Sequence, residues 1–376
     1  MGRSQTSRRF YPHLESLRGV AALCVVLFHA FGNRSPQPEL FANPTPDAIA
    51  NLILTSIFGG TGTVTLFFVL SGFVLAESLS DCETISARVY AAFIVRRIFR
   101  LIPVAWASLG VAIVLMIFYH HIQPPWDQLP AAMLFQISAI QPFNGPLWSI
   151  NVECIASAIF PLLLLVNRKL NLAGRLAILP GLLLLQSRGS YLASQYLACF
   201  QIGIMTRELT MPLLDRLGAT WSSILLGTAI ALVLLPTNLS RLGLISTISH
   251  VRLESVGSVF IVGYAIFDRD SRFVRFLELA PMRFLGRISY SVYAYHNPIL
   301  GSLAWVTWSI IPPDHYVPAQ MLCASLVVPT TIALAALSYR YLEQPLNRLG
   351  HALGKKISQP PPSSSEAASS LVEERA

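Results

Sequence analysis

Residues 64–76 read VTLFFVLSGFVLA, thirteen positions in which Thr65 and Ser71 carry the only polar side chains. A run this apolar finds no place on a wetted surface. With its flanks it supplies most of the roughly 20 residues that a bilayer crossing needs. Two more runs repeat the pattern, SLGVAIVLMIFYH at 108–120 and SSILLGTAIALVLLP at 222–236. The composition agrees. Of 376 residues 53% are hydrophobic and only 12% are charged, and the mean hydropathy is +0.56. Soluble chains average about 25% charged residues. The sequence therefore predicts an all-α, polytopic integral membrane protein with the lipid bilayer as its first partner.

Apolar spans fall near 15–33, 53–76, 101–119, 146–166, 175–188, 190–206, 220–236, 254–267, 284–309 and 319–339, about ten crossings. The fifth and sixth are short and parted only by Ser187, Arg188, Gly189 and Ser190. The start, MGRSQTSRRF, is polar and basic and leads into the first span with no small-residue cleavage site, so it reads as a retained helix. The net charge of +8 could be taken for nucleic-acid binding, but its distribution argues for topology instead. With the N-terminus inside, only Arg34, Arg188, Arg241 and Arg252 fall outside, so 23 of the 27 basic residues share one side. That asymmetry predicts both termini in the cytoplasm. Residues 1–350 read as one transmembrane domain. Residues 351–376, ending in KKISQPPPSSSEAASSLVEERA, read as a disordered cytoplasmic tail. The segments 34–52 and 120–145 read as outer loops. The five cysteines show neither metal spacing nor a disulfide framework. No metal or bound cofactor is expected.

Ionisable groups inside a span are costly and point to function. Arg18 and His29 in LESLRGVAALCVVLFHA are eleven positions apart. That spacing puts them on one helix face about 16 Å apart, Arg18 near the inner surface and His29 beyond mid-depth. Glu153, in PLWSINVECIASAIFP, is placed by the same arithmetic at the level of His29, which it would orient. His296 follows Arg287 in GRISYSVYAYHNPIL, with Tyr290, Tyr293 and Tyr295 nearby, a run suited to lining a cavity. On the inner side, RRIFR places Arg97 and Arg100 at i, i+3 on one face, a fork suited to phosphate. Ser71 and Gly72 lie at the same level, where small residues either permit close helix approach or leave room for a narrow ligand. Each feature has a plainer reading. Arg18 could be a snorkelling anchor, RRIFR a leaflet anchor, and the histidines and Glu153 interhelical pairs.

LRGVAALCVVLFHA, FFVLSGFVLA, RRIFRLIP, PLWSINVE, GRISYSVYAYHNP and YRYLEQPLNR, in that order, resemble the recurring motifs of the membrane-bound acyltransferase-3 family over roughly residues 10–350. The resemblance implies transfer of an acyl group, usually acetyl, from cytoplasmic acyl-CoA to a hydroxyl. The acceptor would be a carbohydrate such as O-antigen, exopolysaccharide, peptidoglycan or a lipid-linked sugar. It implies a multi-pass protein of the bacterial inner membrane. It assigns His29 as catalytic with Arg18 as motif partner, and Arg97 and Arg100 to the acyl-CoA side. Glu153 is the acidic residue after Trp148 and Ser149, which with Ser71, Tyr290 and His296 complete the expected substrate contacts. Cys154 departs from the pattern, because a second acidic residue often stands there.

These readings predict a cationic inner mouth and a His–Glu–His level deeper in, with His29 either deprotonating the acceptor or carrying the acyl group. The competing class is a proton-coupled secondary transporter that uses the same groups as a relay.

Overall fold

The computed structural model describes residues 11–32, 45–82, 84–186, 192–268, 270–312 and 315–359. The N-terminal arginines up to Arg9, the segment 33–44 with Arg34, the segment 187–191 with Arg188, Arg269 and the tail from 360 lie outside them. The described residues are all helical or in turns and connections, with no strand. The main helices are α1 (Pro12–Gly32), α2 (Pro46–Phe58), α3 (Gly60–Ser78), α4 (Ala87–Phe118), α5 (Trp148–Lys169) and α6 (Leu172–Gln186). They continue as α7 (Leu192–Ile204), α8 (Ala219–Leu234), α9 (Thr247–Phe267), α10 (Ala280–Ile310), α11 (Tyr316–Ser338) and α12 (Gln344–Ser358).

Each of the ten apolar stretches is largely helical over its described residues. Among those residues, seven helical segments are long and apolar enough to cross a membrane. Three of the ten stretches are not among the seven. Over their described residues α6 and α7 run to 15 and 13 residues, and the stretch between them, 187–191, lies outside the described residues. α10 has 31 residues, but Arg283, Arg287 and its serines and tyrosines dilute its apolarity. Val114, Phe118, Leu162, Trp221, Trp305 and Ile310 are exposed, as a lipid-facing surface requires.

Three expectations change. The span read at 53–76 is two helices. Thr45 caps α2, its hydroxyl accepting from the Ala48 N–H, and Pro46 opens the helix. The chain then turns at Gly59 (φ 75°) and Gly60 (φ 43°), conformations open to glycine, and α3 begins. The segment 120–145 is not simply an outer loop. Ile137–Asn144 and the turn Gly145–Leu147 pack inward, with Ile140, Phe143, Asn144 and Leu147 buried against α4 and α10. Asn144 Nδ2 donates to Ser108 Oγ (3.2 Å) and to the Ala294 carbonyl (2.8 Å), pinning that entry. Finally, α12 runs through 351–358, where the sequence reading begins the disordered tail.

α1 lies at the centre. It packs against α2, α3, α10 and α11, and most extensively against α10. That contact needs two glycines. A Cβ on Gly19 would collide with the backbone of Leu285 and Gly286, and one on Gly286 with the backbone of Glu15 and Ser16. Gly19 and Gly286 thus mark where the two backbones touch, which fixes the register of α1 on α10.

Candidate active site

Ten residues beyond this glycine contact on each helix stand His29 and His296. Equal offsets from one crossing carry both side chains about 15 Å along nearly parallel axes. Their rings meet with centroids 5.1 Å apart. His29 Nδ1 lies 2.9 Å from the Val25 carbonyl and His296 Nδ1 lies 2.6 Å from the Tyr293 carbonyl. A carbonyl only accepts, so each Nδ1 carries the hydrogen. Each Nε2 is then left with its lone pair. His296 is fully buried and its Nε2 has no hydrogen-bond partner among the described residues. The Phe28 ring packs on His29 (5.5 Å between centroids), and the Arg241 guanidinium lies 4.8 Å from the Phe28 centroid.

The expected glutamate is elsewhere. Glu153 forms an ion pair with Arg97, whose Nε also donates to Ser157 Oγ (3.0 Å). Ser71 Oγ donates to Glu153 Oε1 (3.4 Å), and Arg18 Nη2 donates to Ser71 Oγ (3.2 Å). Glu153 therefore sits at the level of Arg18, well inward of His29, and does not orient the imidazole. The reason is the buried entry before α5. The depth arithmetic starts this helix at the outer surface, whereas Leu147, Ser149 and Ile150 are already buried. The predicted meeting of Arg18, Ser71 and Arg97 is found. Arg97 is not a free fork, because its guanidinium faces Glu153 and Ser157.

Two cavities meet at Arg18 and Arg100, which line both. The inner one spans about 760 Å³, space open to solvent included, and is bounded by Ser71, Arg96, Arg97, Asn347 and His351 among others. Among the described residues no carboxylate lines it. The deeper one is narrower and spans about 500 Å³, space open to solvent included, among Phe67, Phe68, Ser149, Glu153, Tyr290 and Tyr293. Ser149 Oγ donates to the Tyr293 hydroxyl (2.8 Å), which donates to the Pro146 carbonyl (2.8 Å). The Tyr290 hydroxyl donates to the Leu101 carbonyl. Tyr293 connects this cavity to the histidines, its ring centroid lying 5.5 Å from that of His296. Neither cavity is lined by His29 itself. Trp148, expected at the substrate, packs instead against Phe68 and Tyr196 in the core.

Sequence reasoning passes over four polar residues of this architecture. Ser157 stands one turn after Glu153, and its spacing could have revealed it. Glu254 is fully buried and accepts from Thr61, Thr65 and Thr237 (2.9–3.0 Å). It meets the criterion applied to Glu153, yet it falls at the very edge of the span read from hydropathy. Asn347 falls inside the motif YRYLEQPLNR without an assigned role, and His351 carries no signal, because nothing in the sequence places α12 against α4.

No solved structure matches the chain. Among curated proteins it is similar to the peptidoglycan O-acetyltransferase OatA of Listeria monocytogenes, 23% identical over 92% of this chain and 57% of that protein. It also resembles the O-acetyltransferase OatA of Staphylococcus aureus, 30% identical over 28% of this chain and 17% of the relative. A third relative is acyltransferase MdmB of Streptomyces mycarofaciens, 31% identical over 42% of this chain and 40% of the relative. The chain thus spans little more than half the length of the Listeria protein and smaller shares of the others. The model of the acyltransferase domain family Acyl_transf_3 matches residues 11–339, nearly the whole of the helical bundle, and the chain belongs to this acyltransferase family.

Proposed function

We propose that this acyltransferase moves an acyl group, acetyl in the simplest case, from cytoplasmic acyl-CoA to a hydroxyl of an envelope carbohydrate. In this reading it crosses the bacterial inner membrane ten times with both termini inside. The observation that carries it is the order of sites along α1: a cationic cavity at Arg18 and Arg100, an aromatic cavity above it, then the His29–His296 pair. The phosphate-bearing head of the donor suits the first. Its thin pantetheine arm suits the second, with the thioester aimed at the third. Arg18 and Arg100 supply the charge complement. Arg97 and Glu153 hold α4 to α5 and position that wall.

The chemistry asks for a base with a lone pair, and the Val25 contact leaves His29 with one on Nε2. The acceptor hydroxyl passes its proton to Nε2 as its oxygen attacks the thioester carbonyl carbon. A C–O bond forms, the C–S bond breaks, and the proton leaves with the CoA thiol. The same lone pair could instead take the acyl group first. Trapping acyl-His29 from labelled acetyl-CoA without acceptor would select that route. The names of the OatA relatives support a glycan acceptor, and peptidoglycan is the first to test. The test of the whole reading is incorporation of labelled acetyl into envelope glycan by His29→Ala. Removing the base should cut it by roughly two to four orders of magnitude. Undiminished incorporation by a normally inserted variant would sink the proposal.

A further inference from the structure

The inner cavity is closed by an element outside the arginine motif. Asn347 and His351 of α12 line it together with Arg96, Arg97 and Arg100 of α4. Asn347, Gly350, His351 and Gly354 follow i, i+3, i+4, i+7 spacing and form one stripe of α12. This stripe is what α12 turns toward α4. A Cβ on Gly350 would come within 2.5 Å of the Phe99 side chain. One on Gly354 would meet the Arg96 side chain at 3.0 Å and the Ala92 carbonyl at 3.1 Å. The glycines let the helices touch, and the contact brings Asn347 and His351 into the arginine cavity.

A helix that only rested on the membrane surface would need no polar face against its neighbour. α12 keeps its leucines off this stripe, and Leu349 is 46% exposed. The face against α4 is glycine and polar side chains. The cavity it completes is lined by four arginines and one histidine, with no carboxylate among the described residues. Such a lining complements a polyanion. Arg97 directs its guanidinium to Glu153 and Ser157.

We propose that α12 is the second wall of the donor site, with His351 and Asn347 binding the phosphates of acyl-CoA opposite Arg96 and Arg100. This rests on the acyl-CoA reading above. A phosphorylated lipid headgroup offers the same chemistry, and the test separates the two. The full chain is reconstituted in phosphatidylcholine nanodiscs and, separately, in phosphatidylglycerol nanodiscs, and titrated with CoA as wild type, His351→Ala, Asn347→Ala and His351→Arg. His351→Ala should weaken CoA binding about tenfold, the value of one charge-assisted hydrogen bond. Asn347→Ala should weaken it less, and His351→Arg should restore it. Thermal melting without ligand, measured on each variant, separates a loss of CoA affinity from a loss of fold. Equal CoA affinity in wild type and His351→Ala overturns the proposal while leaving the donor reading intact. So does a loss seen only in phosphatidylglycerol nanodiscs, which would assign the cavity to lipid. A wild-type chain that does not bind CoA overturns both.

Discussion

At the residue scale, the site separates two jobs that the sequence assigned to one level. Glu153 and Arg97 are a nearly buried pair, with side chains 13% and 9% exposed. Removing one partner leaves the other charge without compensation, which costs about 3–5 kcal/mol. Glu153→Gln and Arg97→Gln should each lower the melting temperature of the purified protein sharply. The double variant should recover most of it, since both charges are then gone. A double variant as unstable as the sum of the singles would show that the pair is not coupled. His296 behaves differently. Its Nε2 is buried without a partner among the described residues, a state that costs about 1–3 kcal/mol. His296→Phe should therefore leave thermal stability unchanged or raised while acyl transfer falls. A drop in stability with normal transfer would make His296 a packing residue. The presence of Arg18, His29, Glu153 and His296 inside apolar spans was legible from the sequence. Their pairing was not, because partners across helices depend on where each helix starts.

At the scale of elements, glycines set the geometry. Gly19 and Gly286 let α1 and α10 touch, and that contact places His29 beside His296. Gly286→Ala forces a methyl group into the backbone of α1. It should destabilise the protein by about 1–3 kcal/mol and reduce turnover by separating the histidines. Gly301 on the same helix faces open space, with nothing within 4 Å of where a methyl group would stand, so Gly301→Ala is the control. It should be neutral or add up to about 1 kcal/mol from helix propensity. Equal effects of the two substitutions in melting and activity assays would refute the role of the contact. A second crossing works alike, since Gly72 of α3 and Gly203 of α7 each admit the other helix's backbone. Hydropathy identified these helices well but not their ends. It passed over the break at Gly59 and Gly60, which lies inside an apolar run, and the inward entry at 137–147, where Gln141, Pro142, Asn144, Gly145 and Pro146 read as a loop.

At the scale of the whole molecule, the basic residues predict a direction that composition alone does not supply. With ten crossings and both ends inside, a reporter active only in the cytoplasm should signal when fused after Gln359. It should be silent when fused after Ile122. The opposite result at either point would break the ten-crossing topology. The same arrangement puts the arginine cavity on the donor's side and Arg241, over Phe28, on the acceptor's.

The sequence by itself determined that the chain is helical and rich in membrane-spanning stretches, and which titratable groups lie within them. Those properties follow from composition and from periodicity along a single helix. Tertiary structure alone decided that Glu153 serves Arg97 and not His29, that His29 and His296 adjoin, and that α12 completes the inner cavity. Each depends on a close approach between helices far apart in the chain. Small residues permit such approaches, but their spacing on one helix does not name the partner.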